Sequence, residues 1–289
     1  MPEPRSGPTM RERALAQRLA DLRSRLGITQ QRAAAELGVS EDTIRRLERS
    51  GTRLQLKHVR ALLDLYRLPP AEAAEFLAQV RQARTPGWWH EWRDVLPRWL
   101  TTQIAAEDTA TLIRSWSGHT VPALLRTRRY AAALLRQRPR LTAPELARML
   151  ELLQRRQQIL DRARPPHLWA VLDHSVLTRP VGGTAVMAEQ RAHLRALAAR
   201  PAVTIQIVPR TAGPHPAGGA GDCVLLRFEA PDSPDLVLRD GLTAPSVTED
   251  LTETRACLAA LDQAASMAAR PGGVAHGTDQ NRSDGDTCA

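Results

Sequence analysis

Two short helical segments joined by a glycine-containing turn most constrain what this chain can fold into. Thr29 is placed to cap a helix that runs to Leu37, and Ser40 is placed to cap the helix that follows the turn. Gly38 lies between them, where the backbone must turn sharply. Two helices joined by a turn of about three to four residues with a glycine have the spacing of a helix-turn-helix. We therefore predict this motif in residues 28–48.

Further helices are predicted on both sides of the motif. The segment before it carries leucines at helical spacing, which predicts one buried stripe: Leu15, Leu19, Leu22 and Leu26. The segments 54–68 and 71–84 after it are also amphipathic. Pro86 and Gly87 then mark a boundary. We predict a five-helix domain at residues 10–84, preceded by a disordered segment at residues 1–9.

The motif also matches a known family. The segment ITQQRAAAELGVSEDTIRRLE resembles the XRE or lambda-repressor-like helix-turn-helix, in which a Ser/Thr-Gln pair opens the second helix and a Gly-Val-Ser turn follows. An isoleucine and a glutamate mark the recognition helix of that family. The matching residues are Thr29, Gln30, Ala34, Leu37, Gly38, Val39, Ser40, Ile44 and Glu48. The resemblance implies that double-stranded DNA is a partner.

The geometry of such a motif selects candidate DNA-binding residues. The recognition helix lies in the major groove with its first residues at base edges, while the preceding helix crosses the phosphate backbone. Arg45 and Arg46 can reach phosphate or guanine, whereas Glu41 and Asp42 can accept from cytosine N4 but repel phosphates. We expect modest affinity and sharpened specificity from this acidic tip. The candidates are Gln30, Gln31, Ser40, Glu41, Asp42, Thr43, Arg45, Arg46, Arg49 and Arg53.

The rest of the chain has a different pattern, and at 289 residues the chain is long enough for two domains. Short apolar runs predict strands, and amphipathic stretches predict helices. The predicted strands are 167–173, 203–209, 223–229 and 235–240, and the predicted helices are 98–115, 122–137, 143–163, 184–200 and 249–268. The predicted fold class is mainly α, with a lambda-repressor-like helical domain followed by an α+β domain at residues 88–268. The tail at residues 269–289 is low in apolar residues and is predicted to be disordered.

The resemblance extends beyond the motif. Segments such as RTPGWWHEWRDVLPRWL and PVGGTAVMAEQRAHLRALAARPAVTIQIVP are similar to those of a large actinobacterial regulator family. Its members join an XRE-type domain to a C-terminal domain of unknown function described as antitoxin-like. Where that family has Pro-Gly-Leu-Leu-Gln-Thr, this chain has Pro122-Ala-Leu-Leu-Arg-Thr127. The resemblance implies transcription regulation, often beside a small acidic partner protein.

Charge and composition agree with a DNA partner. The chain carries a net charge of +9, and residues 1–85 hold 16 basic against 10 acidic side chains. A basic surface attracts polyanions by counterion release. No run approaches the roughly 20 apolar residues that span a bilayer, and the first residues lack the apolar stretch of a signal peptide. We therefore expect a cytoplasmic protein with no membrane partner, acting as a homodimer on paired half-sites and responding to an unknown small-molecule effector or a partner protein.

Catalytic and metal chemistry have weak support. Cys223 and Cys257 are expected to be small buried hydrophobes, and no pattern of cysteines or histidines calls for a metal or cofactor. Polar residues at strand ends and in a glycine-rich loop could converge on a pocket: Asp173, His174, His215 and Asp240. That loop lacks phosphate-binding spacing, and no hydrolase or zincin motif occurs. We expect no enzymatic activity. An antitoxin-like interaction module and a nucleotide-dependent transferase are the alternatives.

Overall fold

The computed structural model describes residues 10–49, 54–84, 87–229, 233–241 and 245–269. The described residues form two compact units. The first contains the described residues up to His90 together with Glu229 and Ser233, and the second contains the others. Of the segments predicted to be disordered, 1–9 and 270–289 lie outside the described residues.

The first unit is helical. In its described residues the helices surround one apolar core, to which Leu15 and Leu19 of the predicted stripe contribute buried side chains. Leu26 is 52% exposed, so its place in the stripe was wrong. The first helix ends at Arg25, and Gly27 has a φ of 64°, which turns the chain away from the helix axis. The helices are α1 (Met10–Arg25), α2 (Gln30–Leu37), α3 (Glu41–Glu48), α4 (Leu56–Leu65) and α5 (Pro70–Arg84).

The second unit contains a mixed sheet of six strands in its described residues. Its order is β3-β2-β1-β4-β5-β6, with the first three strands parallel and the last three antiparallel to their neighbours. The strands are β1 (Ala110–Ser117), β2 (His167–Asp173), β3 (Val203–Val208), β4 (Cys223–Phe228), β5 (Leu236–Arg239) and β6 (Ser246–Thr248).

The register places several strand ends at one edge of the sheet. Ser117 pairs with Leu172, and Asp173 pairs with Val208, so β1, β2 and β3 end together. Cys223 pairs with both Trp116 and Arg239, so β4 begins and β5 ends at the same place. We call this the carboxyl edge. It is the edge at which open α/β sheets place their ligands.

Helices pack around this sheet. The last one, α12, contacts strands β1 to β5, and its buried Leu261 and Ala264 share a core cluster with Trp116 and Leu225 of the sheet. The helices of the second unit are α6 (Arg98–Glu107), α7 (Arg128–Leu135), α8 (Ala143–Gln157), α9 (His174–Thr178), α10 (Thr184–Ala198), α11 (Pro216–Ala220) and α12 (Leu251–Met267). The predicted fold class, mainly α with an α+β C-terminal domain, is confirmed.

One predicted helix was wrong. Residues 98–115 were expected to be helical throughout, but α6 ends at Glu107 and the central strand β1 begins at Ala110. Every residue of β1 from Ile113 to Ser117 is buried. A strand covered on both faces lacks the polar alternation that marks a half-buried strand, so its period is ambiguous.

Among the helices formed by the described residues, none has both the length and the apolar character that a bilayer span requires.

Candidate nucleic-acid interface

Two helix caps and one glycine fix the junction between α2 and α3. Thr29 Oγ1 accepts a hydrogen bond from the backbone N–H of Arg32 at 3.1 Å. Ser40 Oγ accepts one from the backbone N–H of Thr43 at 3.2 Å. Gly38 ends α2 with a φ of 63°, a conformation that strains residues with a Cβ atom. Both predicted caps and the predicted turn are confirmed.

One side of α3 anchors it to the core. Ile44 is fully buried and Leu47 nearly so, and both belong to the apolar cluster that contains Leu19 and Val59. Full burial of an aliphatic side chain stabilises a fold by roughly 1.5–3 kcal/mol. Because these side chains hold α3 by a single side, the opposite side stays in solvent.

A buried carboxylate joins α1, α2 and α3. Glu48 is 4% exposed and accepts hydrogen bonds from Arg23, whose Nε lies 2.6 Å from Oε1 and whose Nη2 lies 3.0 Å from Oε2. Gln30 Nε2 donates to the same carboxylate at 2.8 Å, and Arg23 Nη1 donates to the carbonyl of Ile28 at 2.7 Å. The hydrogen bond with Glu48 raises the pKa of Arg23. The three helices are therefore locked by one polar network.

The outer side of α3 is charged. Its basic side chains Arg46 and Arg49 are exposed. Arg45 forms ion pairs with Glu41 at 3.7 Å and with Asp42 at 3.4 Å. All three partners are more than 40% exposed, and such pairs contribute at most about 1 kcal/mol in water. Arg45 can therefore exchange these carboxylates for a phosphate or a base.

The remaining candidate DNA-binding residues differ in how exposed they are. Gln31 lies exposed on α2, and Ser40 lies exposed at the start of α3, next to the half-buried Thr43. Gln30 is half-buried and already donates from its amide nitrogen to Glu48, so it supports the motif from within. Arg53 lies outside the described residues.

The pairing of Arg23 with Glu48 could not be predicted from the sequence. The two residues are 25 positions apart, and no local pattern relates them. One signal was available. Glu48 follows Ile44 by four positions and Leu47 by one, which places a charged side chain on the inward side of α3. A charge in that position requires a buried partner.

In the second unit, two of the suspected pocket residues serve local structure. Asp173 caps α9, because its Oδ1 accepts from the backbone N–H of Ser175 at 2.8 Å. His215 Nδ1 accepts from the backbone N–H of Gly218 at 3.2 Å. The ring of His215 packs edge-on against Trp116 with 4.6 Å between centroids. Both residues therefore have structural roles at the carboxyl edge.

The other two suspected residues lie at the same edge. The backbone N–H of Asp240 donates to the carbonyl of Asp222 at 2.9 Å, which places these two residues side by side. His174 has a buried Nδ1 that meets no hydrogen-bond partner among the described residues. Asp222 and its neighbour His119 were not identified from the sequence, because strand order alone brings them together with Asp240.

Two cysteines of the second unit lie close together in its interior. Cys223 and Cys257 are both buried, with their sulfurs 3.8 Å apart, which confirms the expected burial. In the part of the chain that the structure describes, no three His, Cys, Asp or Glu side chains are grouped to hold a metal ion.

The geometry defines a helix-turn-helix protein, which indicates a DNA-binding regulator. A family model described as a helix-turn-helix domain matches residues 14–76. A second model, described as a domain of unknown function (DUF5753), matches residues 100–273. This second match covers more than half of the chain, so the chain belongs to the DUF5753 family. No curated protein and no solved structure matches the chain significantly.

Proposed function

We propose that the protein is a sequence-specific DNA-binding transcriptional regulator of the XRE type, whose second unit receives a controlling signal. The observation that carries the proposal is the construction of α3. Ile44 and Leu47 bury one side of this helix, and capped junctions hold it, while its charged side remains in solvent. A helix anchored in this way is suited to enter a groove of DNA.

The exposed side chains can be assigned roles on that basis. With α3 in the major groove, its first turn meets base edges, and Arg46 and Arg49 approach the phosphates or a guanine edge. Gln31 lies on α2, the helix that crosses the backbone in this arrangement. Phosphate contacts set the register and most of the affinity, whereas the first turn of α3 sets the sequence preference.

The acidic first turn acts mainly on specificity. Glu41 and Asp42 can accept hydrogen bonds from cytosine N4, but they repel phosphates wherever no such donor is present. On a correct site Arg45 would leave these carboxylates for DNA. On a wrong site the carboxylates and Arg45 would remain paired with each other. The first turn therefore weakens binding to wrong sequences more than binding to the correct one.

The proposed oligomeric state follows from the small number of base pairs that one recognition helix contacts. A single recognition helix reads only a few base pairs, so we propose a homodimer on half-sites about one helical turn apart. We propose that it acts in the cytoplasm. The controlling signal is proposed to be a small molecule or a protein partner acting on the second unit.

The test is binding to DNA from upstream of the protein's own coding region. We expect a specific complex in fluorescence anisotropy, and we expect Arg46→Ala and Arg49→Ala each to weaken it about tenfold, since charged hydrogen bonds contribute roughly 1.5–3 kcal/mol. Arg195→Ala, at an exposed arginine of α10, is the matched control. Equal affinity for unrelated DNA, or unchanged binding by both variants, would contradict the proposal.

A further inference from the structure

Four charged or titratable side chains gather at the carboxyl edge of the second unit. We call them the edge cluster: His119, Arg126, Asp222 and Asp240. His119 and Arg126 lie in the segment that follows β1, Asp222 precedes β4, and Asp240 follows β5. The chain leaves β1 toward β2 and β3 and later returns to β4 on the other side of β1. Open sheets bind small molecules at such a reversal of strand order.

Asp222 is fixed by one of its two carboxylate oxygens. Its Oδ1 accepts from the backbone N–H of Gly118 at 2.8 Å and lies 3.2 Å from Nδ1 of His119. Within the described residues, its other oxygen accepts no hydrogen bond. The carboxylate of Asp240 likewise receives none there, although its backbone is tied to Asp222. Two neighbouring carboxylates therefore keep free acceptor positions.

Arg126 is positioned by neutral partners. Its Nε donates to the carbonyl of Val121 at 2.6 Å, and its Nη2 donates to Thr120 Oγ1 at 3.1 Å. No carboxylate of the described residues lies within ion-pair distance of the guanidinium, and Nη1 makes no hydrogen bond to them. Desolvation lowers the pKa of Arg126 to about 10, against smaller opposing effects of Tyr130, Asp240 and Asp222. Arg126 donates to Thr120, which directly follows His119 in the chain, and His119 lies against Asp222. Arg126 therefore lies on the same part of the carboxyl edge as Asp222.

The segment that carries Arg126 is rigidly held. Gln157 of α8 donates from Nε2 to the carbonyls of Ala123 and Arg126, at 3.0 and 2.8 Å. Gln190 of α10 donates to the carbonyl of Leu125 at 2.7 Å and accepts from the backbone N–H of Thr127 at 2.7 Å. Two buried or half-buried amides thus fix the segment before any ligand arrives, which lowers the entropic cost of binding.

The edge cluster is accessible to solvent, because His119 and Asp240 are exposed and Arg126 and Asp222 are half-buried. Asp240 keeps much of its surface in contact with solvent, yet desolvation, followed by the charge of Asp222, raises its pKa. Arg126 is only half-buried, yet desolvation dominates the shift of its pKa. Both side chains are therefore accessible to a small molecule in solution.

We infer that the edge cluster binds a small zwitterion of the α-amino acid class, with the carboxylate of the ligand on Arg126 and its ammonium group against Asp222 and Asp240. The free guanidinium donors match a carboxylate, and an ammonium group offers donors to both free carboxylates. Binding would also relieve the repulsion between the two aspartates. An anion alone would meet this repulsion unrelieved, and a simple amine would leave Arg126 unpaired.

That this ligand controls DNA binding rests on the proposed function. That the ligand binds to the edge cluster does not. The test is calorimetric titration of the full chain with the common L-α-amino acids one at a time. Acetate and methylammonium serve as the separated halves of the ligand. We expect at least one amino acid to bind with a Kd in the millimolar range or below, and each separated half to bind at least about tenfold more weakly.

Variants locate the site. We expect Arg126→Gln and Asp240→Asn each to weaken amino-acid binding about tenfold or more, as the loss of a charged hydrogen bond implies. Arg136→Gln, at an exposed arginine just after α7, should bind as the unaltered chain does. Asp240 is exposed and its side chain packs into no core, so Asp240→Asn tests the site even if Arg126→Gln fails to fold.

The proposal is overturned if no amino acid binds, if acetate binds as tightly as the amino acids, or if Asp240→Asn binds unchanged. DNA affinity is measured separately in the same samples. Amino-acid binding by a chain that binds no specific DNA would overturn the proposed function and leave this site standing. Specific DNA binding without any amino-acid binding would overturn this site and leave the proposed function standing.

Discussion

At the scale of single residues, Glu48 shows how one side chain can hold a whole motif. Its carboxylate is buried, and its hydrogen bonds reach Arg23 on α1 and Gln30 on α2. A buried ion pair of this kind adds little when compared with apolar packing, but removal of one partner leaves the other charge poorly compensated. The network therefore specifies how the three helices are placed.

Glu48→Gln is expected to lower the free energy of unfolding of the first unit by about 2–3 kcal/mol, because Arg23 loses its counter-charge in a mostly buried position. Chemical denaturation followed by circular dichroism measures this loss. Glu36→Gln, at an exposed position on α2, is the matched control and should change stability by less than about 0.5 kcal/mol. Equal effects of the two substitutions would contradict the role given to Glu48.

His193 is expected to make the second unit less stable in acid. It lies half-buried on α10, where desolvation lowers its pKa and the charge of Glu189 acts in the opposite direction. The unfolded chain therefore takes up this proton first as the pH falls, and stability declines below about pH 6.5 until the folded state is protonated as well. His193→Gln should reduce the decline in melting temperature between about pH 7 and pH 5. His167→Gln, at an exposed position, should leave it unchanged.

At the scale of elements, α3 combines an apolar anchor with an acidic first turn and a basic remainder. The anchor fixes the helix, and the ion pairs of Arg45 with Glu41 and Asp42 are weak enough to open on DNA. On the proposed function, we expect the order of charges along the helix to affect which DNA is bound more than how tightly it is bound.

The double substitution Glu41→Gln with Asp42→Asn is expected to strengthen binding to unrelated DNA about threefold to tenfold, because two repulsive charges are removed and Arg45 is released. The preference for the correct site over unrelated DNA should fall. Fluorescence anisotropy with both DNAs measures these affinities. Glu72→Gln with Asp64→Asn, both exposed on other helices, should alter neither affinity. A preserved preference would show that the first turn of α3 does not read the site.

At the scale of the whole molecule, the charge balance favours polyanions. The net charge is +9, and most of the excess lies in residues 1–85. Such an excess attracts DNA of any sequence by counterion release, so affinity at low salt reports charge more than recognition.

The logarithm of the binding constant should fall linearly with the logarithm of salt concentration. Arg46→Ala and Arg49→Ala should each reduce that slope by about 0.9 if each side chain neutralises one phosphate. Arg195→Ala should leave the slope unchanged. A slope that is the same in all three variants would place the phosphate contacts elsewhere on the chain.

Local signals predicted much of the fold. The caps Thr29 and Ser40, the turn at Gly38 and the strand at residues 167–173 all came from residues close together in sequence. Hydrogen bonds from a cap and the conformational freedom of glycine act over three or four residues, so the local sequence is enough to predict these caps and this turn. The exposed arginines of α3 were identified in the same way.

The tertiary structure alone decided the features that depend on distant partners. Residues 110–115, which were predicted to be helical, belong to strand β1 because this segment pairs with β2 and β4 on either side. Arg23 and Glu48 pair across 25 positions, and Arg126, Asp222 and Asp240 come to one edge of the sheet only through the strand order. Burial, ion pairing and desolvation depend on which segments come together in space. The sequence by itself therefore determined the helix-turn-helix motif, and the tertiary structure decided what holds that motif in place and which charged side chains lie together at the carboxyl edge.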